Sequence, residues 1–373
     1  DLLFSVTQQT RGRYDFQSPS KQEGDMKMSV MNQCLITFSA LLSLLFLPCH
    51  LAAEPRWEEL MNLAEQGDAE AQASLAKKYF YGDGIEQNDE ESFKWVKKSA
   101  EQGNAIGQSN MGLMYLKGKG VEQDYGEAFK WFKMAAEQGI PEAQSNLGLM
   151  YLEGYGVEQD YGEAVKWYKK AAEQGIPEAQ YNVGNFFNKG QGVIQDYGEA
   201  VKWYKKAAEQ GNDSAQNNLG AMYLEGKGVE QDYGQALKWL KEAAQQGNAI
   251  GQSSLGLMYF EGKGVEKDYG QALKWLKKLA EKGDILAYWN IGIIYSKGGF
   301  GVTQDYSEAF KWYKKAAEQG DAEAQHNLGD MYLEGKGVEK DYDEAFKWFK
   351  MAAEQGLEES VKALDVISET AKN

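Results

Sequence analysis

From residue 68 onward the apolar positions fall at spacings of three and four, in paired runs separated by glycines, and the whole pattern returns every 36 residues. Ile140–Gly175, reading IPEAQSNLGLMYLEGYGVEQDYGEAVKWYKKAAEQG, serves as the type. In its first half Ala143, Leu147, Met150 and Tyr151 share one face of a helix predicted over residues 142–152. Gly148 lies beside Leu147, where a missing side chain lets another helix approach. Gly154 and Gly156 then end the helix, because glycine reaches the left-handed conformations of such turns without strain. Asp160 reads as the N-cap of a second helix, with Glu163 as its capping-box partner. Ala164, Trp167, Tyr168, Ala171 and Ala172 stripe that helix and Gly175 stops it.

The unit recurs eight times, over residues 68–103, 104–139, 140–175, 176–211, 212–247, 248–283, 284–320 and 321–356. The seventh copy is one residue longer, within Gly298-Gly299-Phe300-Gly301. Residues 54–67 and 357–373 read as half-units and are expected to form capping helices at the two ends. A single helical hairpin cannot bury both of its apolar stripes, so the copies must stack. The fold class predicted is all-α: a right-handed α/α superhelical solenoid with a concave face.

Before the repeats, Lys27 precedes an apolar stretch from Leu35 to Leu47, followed by Pro48 and Leu51-Ala52-Ala53. A basic start, a short apolar run and small residues at its end describe a signal peptide over residues 26–53, cut after Ala53. The run is too short for a stable membrane span, so no membrane insertion is expected after cleavage, and the protein is expected in the periplasm or outside the cell. Residues 1–25 show no periodicity and are expected to be a disordered upstream segment. Both cysteines, Cys34 and Cys49, and one of the two histidines, His50, fall before the repeats, which leaves His326 alone in the rest. Thiol chemistry, a His-based metal site and a cofactor site are therefore not expected.

Charge narrows the partners. The chain carries a net −16; residues 1–53 hold four basic and four acidic residues that cancel, so the repeats carry all of it. Such a surface repels phosphate backbones, and no nucleic acid is expected to bind. Ser74-Leu75-Ala76-Lys77 matches S-x-x-K, a nucleophile motif of penicillin-recognising enzymes, but no K-T-G or S-D-N accompanies it. The G-x-G pairs, such as Gly118-Lys119-Gly120, follow helices rather than strands and read as turns.

The pattern A-Q-x-x-L-G-x-x-Y-x-x-G-x-G-V, then D-Y-x-x-A-x-x-W and A-A-E-Q-G, resembles the Sel1-like repeat family, a relative of the tetratricopeptide repeats. The resemblance covers residues 68–356. It implies a protein–protein interaction adaptor, without enzyme activity, that holds a protein or peptide partner and is often exported by bacteria. A cysteine-rich branch of the family is linked to penicillin binding and weak β-lactamase activity, the alternative function here. These repeats hold no cysteine and depart from that branch.

By the tetratricopeptide analogy the first helices line the concave face and their outward positions carry the binding side chains. Two such positions follow the A-Q and L-G pairs, and repeats four, seven and eight break the local rule at them. The candidate partner-binding residues are Tyr181 with Asn185 and Asn188, Tyr288 with Trp289 and Ile293, and His326 with Asp330. A tryptophan or tyrosine where sibling repeats carry serine suits an interface anchor; the alternative, equal for Tyr181 and Trp289 and preferred for His326, is that these residues fill gaps left by their neighbours. An asparagine ladder (Asn110, Asn146, Asn182, Asn218, Asn290 and Asn327) offers two readings, to clasp the backbone of an extended peptide or to tie adjacent repeats, of which the tie is preferred. The tryptophans at Trp95, Trp131, Trp167, Trp203, Trp239, Trp275, Trp312 and Trp348 are expected to pack in the core, and a monomer is expected.

Overall fold

The computed structural model describes residues 57–370, without the side chains of residues 366 and 368–370. The expected signal peptide, the upstream segment and the first residues of the N-terminal cap lie outside the described residues. Those described form helices joined by short turns, with no strand among them. First helices α2 (Ala69–Tyr81), α4 (Ala105–Lys117), α6 (Pro141–Glu153), α8 (Pro177–Lys189), α10 (Asp213–Glu225), α12 (Ala249–Glu261), α14 (Ile285–Lys297) and α16 (Ala322–Glu334) alternate with second helices. The second helices are α3 (Asp89–Glu101), α5 (Tyr125–Glu137), α7 (Tyr161–Glu173), α9 (Tyr197–Glu209), α11 (Tyr233–Gln245), α13 (Tyr269–Ala280), α15 (Tyr306–Glu318) and α17 (Tyr342–Glu354). Helices α1 (Trp57–Glu65) and α18 (Glu358–Thr370) flank them. The helices fall into two compact units divided between Glu142 and Ala143, each a stack of these hairpins.

Helix ends follow the sequence signals, with one difference. Asp160 caps α7, its carboxylate accepting from the Glu163 N–H at 3.0 Å. The reciprocal half of the capping box does not form. The Asp160 N–H already donates to the Tyr151 carbonyl, so Glu163 turns to the Lys166 ammonium and the Trp167 indole.

Seven of the eight hairpins close on one small-to-large contact. A Cβ at Gly184 would sit 2.6 Å from the Tyr204 ring, and one at Gly329 would sit 2.6 Å from the Phe349 ring. Phe132, Tyr168, Leu240, Leu276 and Tyr313 fill the same slot against Gly112, Gly148, Gly220, Gly256 and Gly292. The first helix therefore needs glycine wherever the second presents a large side chain.

Adjacent repeats are bolted by buried glutamines, not by the asparagine ladder. The Gln180 amide donates to the Ala172 carbonyl of the preceding repeat at 3.1 Å, and its oxygen accepts from Gln210 of its own repeat at 2.8 Å. Gln72, Gln108, Gln216 and Gln325 repeat the pair of bonds. Of the asparagines, Asn218 reaches Asn185 of the repeat before it at 3.4 Å, while Asn290 bonds within its own helix. A glutamine is one methylene longer, enough to reach a carbonyl across the stack.

The bolts are interrupted on both sides of repeat six. Lys282 stands where the siblings carry glutamine and donates to the Gly247 carbonyl, leaving the buried Gln252 oxygen without a partner. Tyr288 then replaces the next bolt glutamine, and a large apolar cluster including Leu276, Leu279, Trp289, Ile291 and Ile294 takes over the joint. The extra residue of repeat seven lets Phe300, at φ 47°, accept the Tyr269 N–H at 2.9 Å and set its ring against Tyr269.

Candidate functional site

The positions that recur through the repeats are spent on stacking: the core alanines, the helix glycines and the bolt glutamines are buried. The tryptophans are buried or half-buried as expected. Several carry a lysine over the ring, such as Lys170 at 3.9 Å from the Trp167 centroid, a cation–π contact on the second-helix side. Partner-binding chemistry is thus left to the positions that vary.

The candidates come together as three separate groups. Tyr181, Asn185 and Asn188, all half-buried on α8, surround the Tyr204 hydroxyl. That hydroxyl donates to the Asn185 oxygen at 2.6 Å, and Asn218 of α10 donates to the same oxygen. Burial holds the Tyr204 phenol well above its ordinary pKa, helped by the neighbouring Tyr181, against the bonds from Asn218 and Asn188. Asn217 donates to Asn218 at 3.3 Å, while its own oxygen is buried without a partner. The result is a patch of amide groups, donors and acceptors both, across repeats four and five.

The outward disposition expected for Tyr288, Trp289 and Ile293 is corrected by the structure. Trp289 is 7% exposed and the other two are buried beside it. The Tyr288 ring lies 5.8 Å from that of Trp312. Because the bolt is missing at this joint, α14 uses these large side chains to fill the space.

His326 and Asp330 do meet. The His326 Nε2 is 3.5 Å from Asp330, and its Nδ1 shares a hydrogen bond with the Ser360 hydroxyl at 2.9 Å. Burial raises the Asp330 carboxyl above its usual range, and His326 opposes that shift. Serine, histidine and aspartate in a chain suggest a catalytic triad, but Ser360 is 0% exposed at the α16–α18 joint. No substrate atom could reach it, and the group acts as a tie between those helices.

The decisive comparison is with protein families. The Sel1 repeat model matches residues 69–104, 105–140, 141–176, 177–212, 213–248, 249–284, 285–321 and 322–357. The chain belongs to the Sel1 repeat family. The matched segments start one residue later than the units read from the sequence, and the seventh keeps its additional residue.

Solved Sel1-repeat proteins share the arrangement. A protective antigen of uropathogenic Escherichia coli strains, displaying an SLR fold, is 40% identical with a TM-score of 0.79, covering 84% of this chain and 67% of its own. A Sel1 repeat protein from Oxalobacter formigenes is 34% identical with a TM-score of 0.60, covering 88% of this chain and 99% of its own. No curated protein sequence matches significantly. The Sel1, tetratricopeptide-like solenoid is typical of protein–protein interaction scaffolds.

Within the Sel1 repeats, Ser74 of the S-x-x-K motif is exposed and Lys77 half-buried, both on α2. Among the described residues no group of histidine, cysteine, aspartate and glutamate could hold a metal ion. Sequence reasoning missed Ser360 and Tyr204, which organise two of the three candidate groups. The signal was present for Tyr204, since a tyrosine in a slot that holds phenylalanine or leucine in four of the repeats requires a partner for its hydroxyl.

Proposed function

We propose that this Sel1-repeat protein is an exported protein–protein interaction scaffold that holds a peptide or protein segment on the face built from its first helices. The observation that carries the reading is the amide patch of Tyr181, Asn185 and Asn188 with Asn217 and Asn218. Shared positions of the repeat are consumed by stacking, while Tyr181, Asn185 and Asn188 depart from the sibling pattern and stay half-buried. Asparagine amides offer both donor and acceptor, the complement of an extended main chain. A tyrosine beside them supplies apolar contact at small entropic cost. The net charge of −16 favours a basic partner at long range.

The test is affinity capture from an envelope extract of the source cells, with a native bait and a Tyr181→Ser, Asn188→Ala bait of equal helicity. A partner retained by the first and lost by the second is expected. The chain recovered from the envelope should begin at Glu54, as cleavage after Ala53 requires. Equal capture by both baits, or an intact leader, contradicts the reading.

A further inference from the structure

Repeat seven is one residue longer than its siblings, and the extra length forms a turn that displays a ring. The Gly299 N–H donates to the Val302 carbonyl at 2.7 Å and the Val302 N–H to the Gly299 carbonyl at 3.0 Å. Phe300 and Gly301 are therefore the two central residues of a tight turn. Their φ angles, 47° and 85°, are both left-handed, the type I′ geometry that asparagine and glycine adopt with least strain. Among the described residues Phe300 alone takes a positive φ without being glycine. Its side chain is nevertheless 54% exposed, so packing on Tyr269 does not account for a phenylalanine in that conformation.

Around Phe300 the turn edge is aromatic and basic, in a chain of net charge −16. Phe260 stacks on Tyr269 with centroids 5.1 Å apart, and Phe300 meets the Tyr269 ring at 5.0 Å and 62°. The Lys267 Nζ lies 5.0 Å from the Phe300 centroid, and the Lys297 Nζ 5.9 Å from that of Phe260. Among the described residues neither lysine pairs with a carboxylate. Both depart from the repeat pattern. Lys267 stands where Gln123, Gln159, Gln195 and Gln231 lock the turn by donating to a carbonyl of the preceding helix. Lys297 stands where Glu153, Glu225, Glu261 and Glu334 stand in four siblings, and Thr303 replaces a glutamate found in six. From Lys297 to Gln304 the chain thus holds a cation and an exposed ring but no carboxylate.

We infer that this turn edge is a second interaction surface, which takes an acidic peptide segment: a large apolar side chain lies on Phe300, and carboxylates lie beside Lys267 and Lys297. It lies on the turns between helices, and so adds a contact to the scaffold reading of the first-helix face. The Lys297 ammonium is held below its ordinary pKa by burial first and by Lys267 second, and a carboxylate near both lysines favours its charged form. The lysines act on such a carboxylate at contact distance. The acidic remainder of the chain is screened beyond about 8 Å at physiological salt. A ring fixed beforehand by a tight turn loses little freedom on binding, which suits an anchor.

The experiment is fluorine NMR on the purified full chain carrying para-fluorophenylalanine, titrated with the capped peptide Glu-Glu-Trp-Glu-Glu; calorimetry supplies the affinities. The Phe300 resonance is the one absent from Phe300→Asn, and a saturable shift of it is expected. Capped Lys-Lys-Trp-Lys-Lys and Glu-Glu-Ala-Glu-Glu should bind about tenfold or more weakly. Phe300→Asn places the favoured residue in the turn, so it should melt no lower than the native chain and still lose the peptide. A ring that serves only to cover Tyr269 would instead lower the melting temperature on removal, and that result would overturn the inference. Lys267→Gln with Lys297→Glu restores residues that siblings carry, should stay folded, and should weaken binding about tenfold or more. An unmoved resonance, undiminished binding by this double variant, or equal binding of either control peptide would also overturn it. So would a dimer in sedimentation that Phe300→Asn abolishes, since the occupant would then be a second copy of the chain. Failure here leaves capture through Tyr181 untouched, and failure of that capture leaves this surface standing.

Discussion

At the residue scale, the Sel1 repeat is a negotiation over volume between one position on each helix. Gly184 permits Tyr204, and Ala76 is permitted by Val96. Gly184→Ala would press a Cβ to within 2.6 Å of a fully buried ring and should destabilise the protein by about 1–3 kcal/mol. Chemical denaturation measures it, and a cycle with Tyr204→Val tests the mechanism. The Ala costs much less once the ring is gone if the account is right; additive losses would argue that the glycine serves something else. The alternation of glycine and large residues was readable in the sequence as a reason for close approach. Its exception in repeat one was less plain, because Ala76 and Val96 each read as an ordinary core residue.

At the element scale, the glutamine bolts determine how each hairpin joins the next. The sequence displayed both partners of every bolt, in the A-Q pair and in A-A-E-Q-G, yet their pairing depends on a register across the stack that periodicity does not supply. The asparagine ladder was just as regular and carries little of the joint. The broken bolt gives a prediction. Lys282→Gln should supply the missing donor to the Gln252 oxygen and keep the bond to the Gly247 carbonyl, as Gln138 does with Gln108 and Gly103. A gain of roughly 1 kcal/mol in a denaturant titration is expected, against none if the joint between repeats five and six draws nothing from that oxygen. The apolar cluster at the next joint explains why Tyr288, Trp289 and Ile293 could not be judged one by one: they looked like anchors because they break the sibling pattern, and they break it because their neighbours do.

At the scale of the molecule, the fold was legible nearly in full, since eight copies of one pattern leave little choice of architecture and the family match follows all eight, each shifted by one residue. The site was less so. Repetition identifies what stacking needs, and what it does not need is only a list of positions free to vary. Burial then separates those positions: Tyr181, Asn185 and Asn188 remain half-exposed, while Trp289 is enclosed. The central claim is that a partner lies along the first helices. It is tested most directly by placing a photo-crosslinking benzoylphenylalanine at single positions of the full chain in its source cell. Positions 145, 181 and 253 lie on first helices, and positions 166, 202 and 274 on second helices. A common adduct at the first three and at none of the last three is the result predicted here. Adducts confined to the second-helix positions would contradict it.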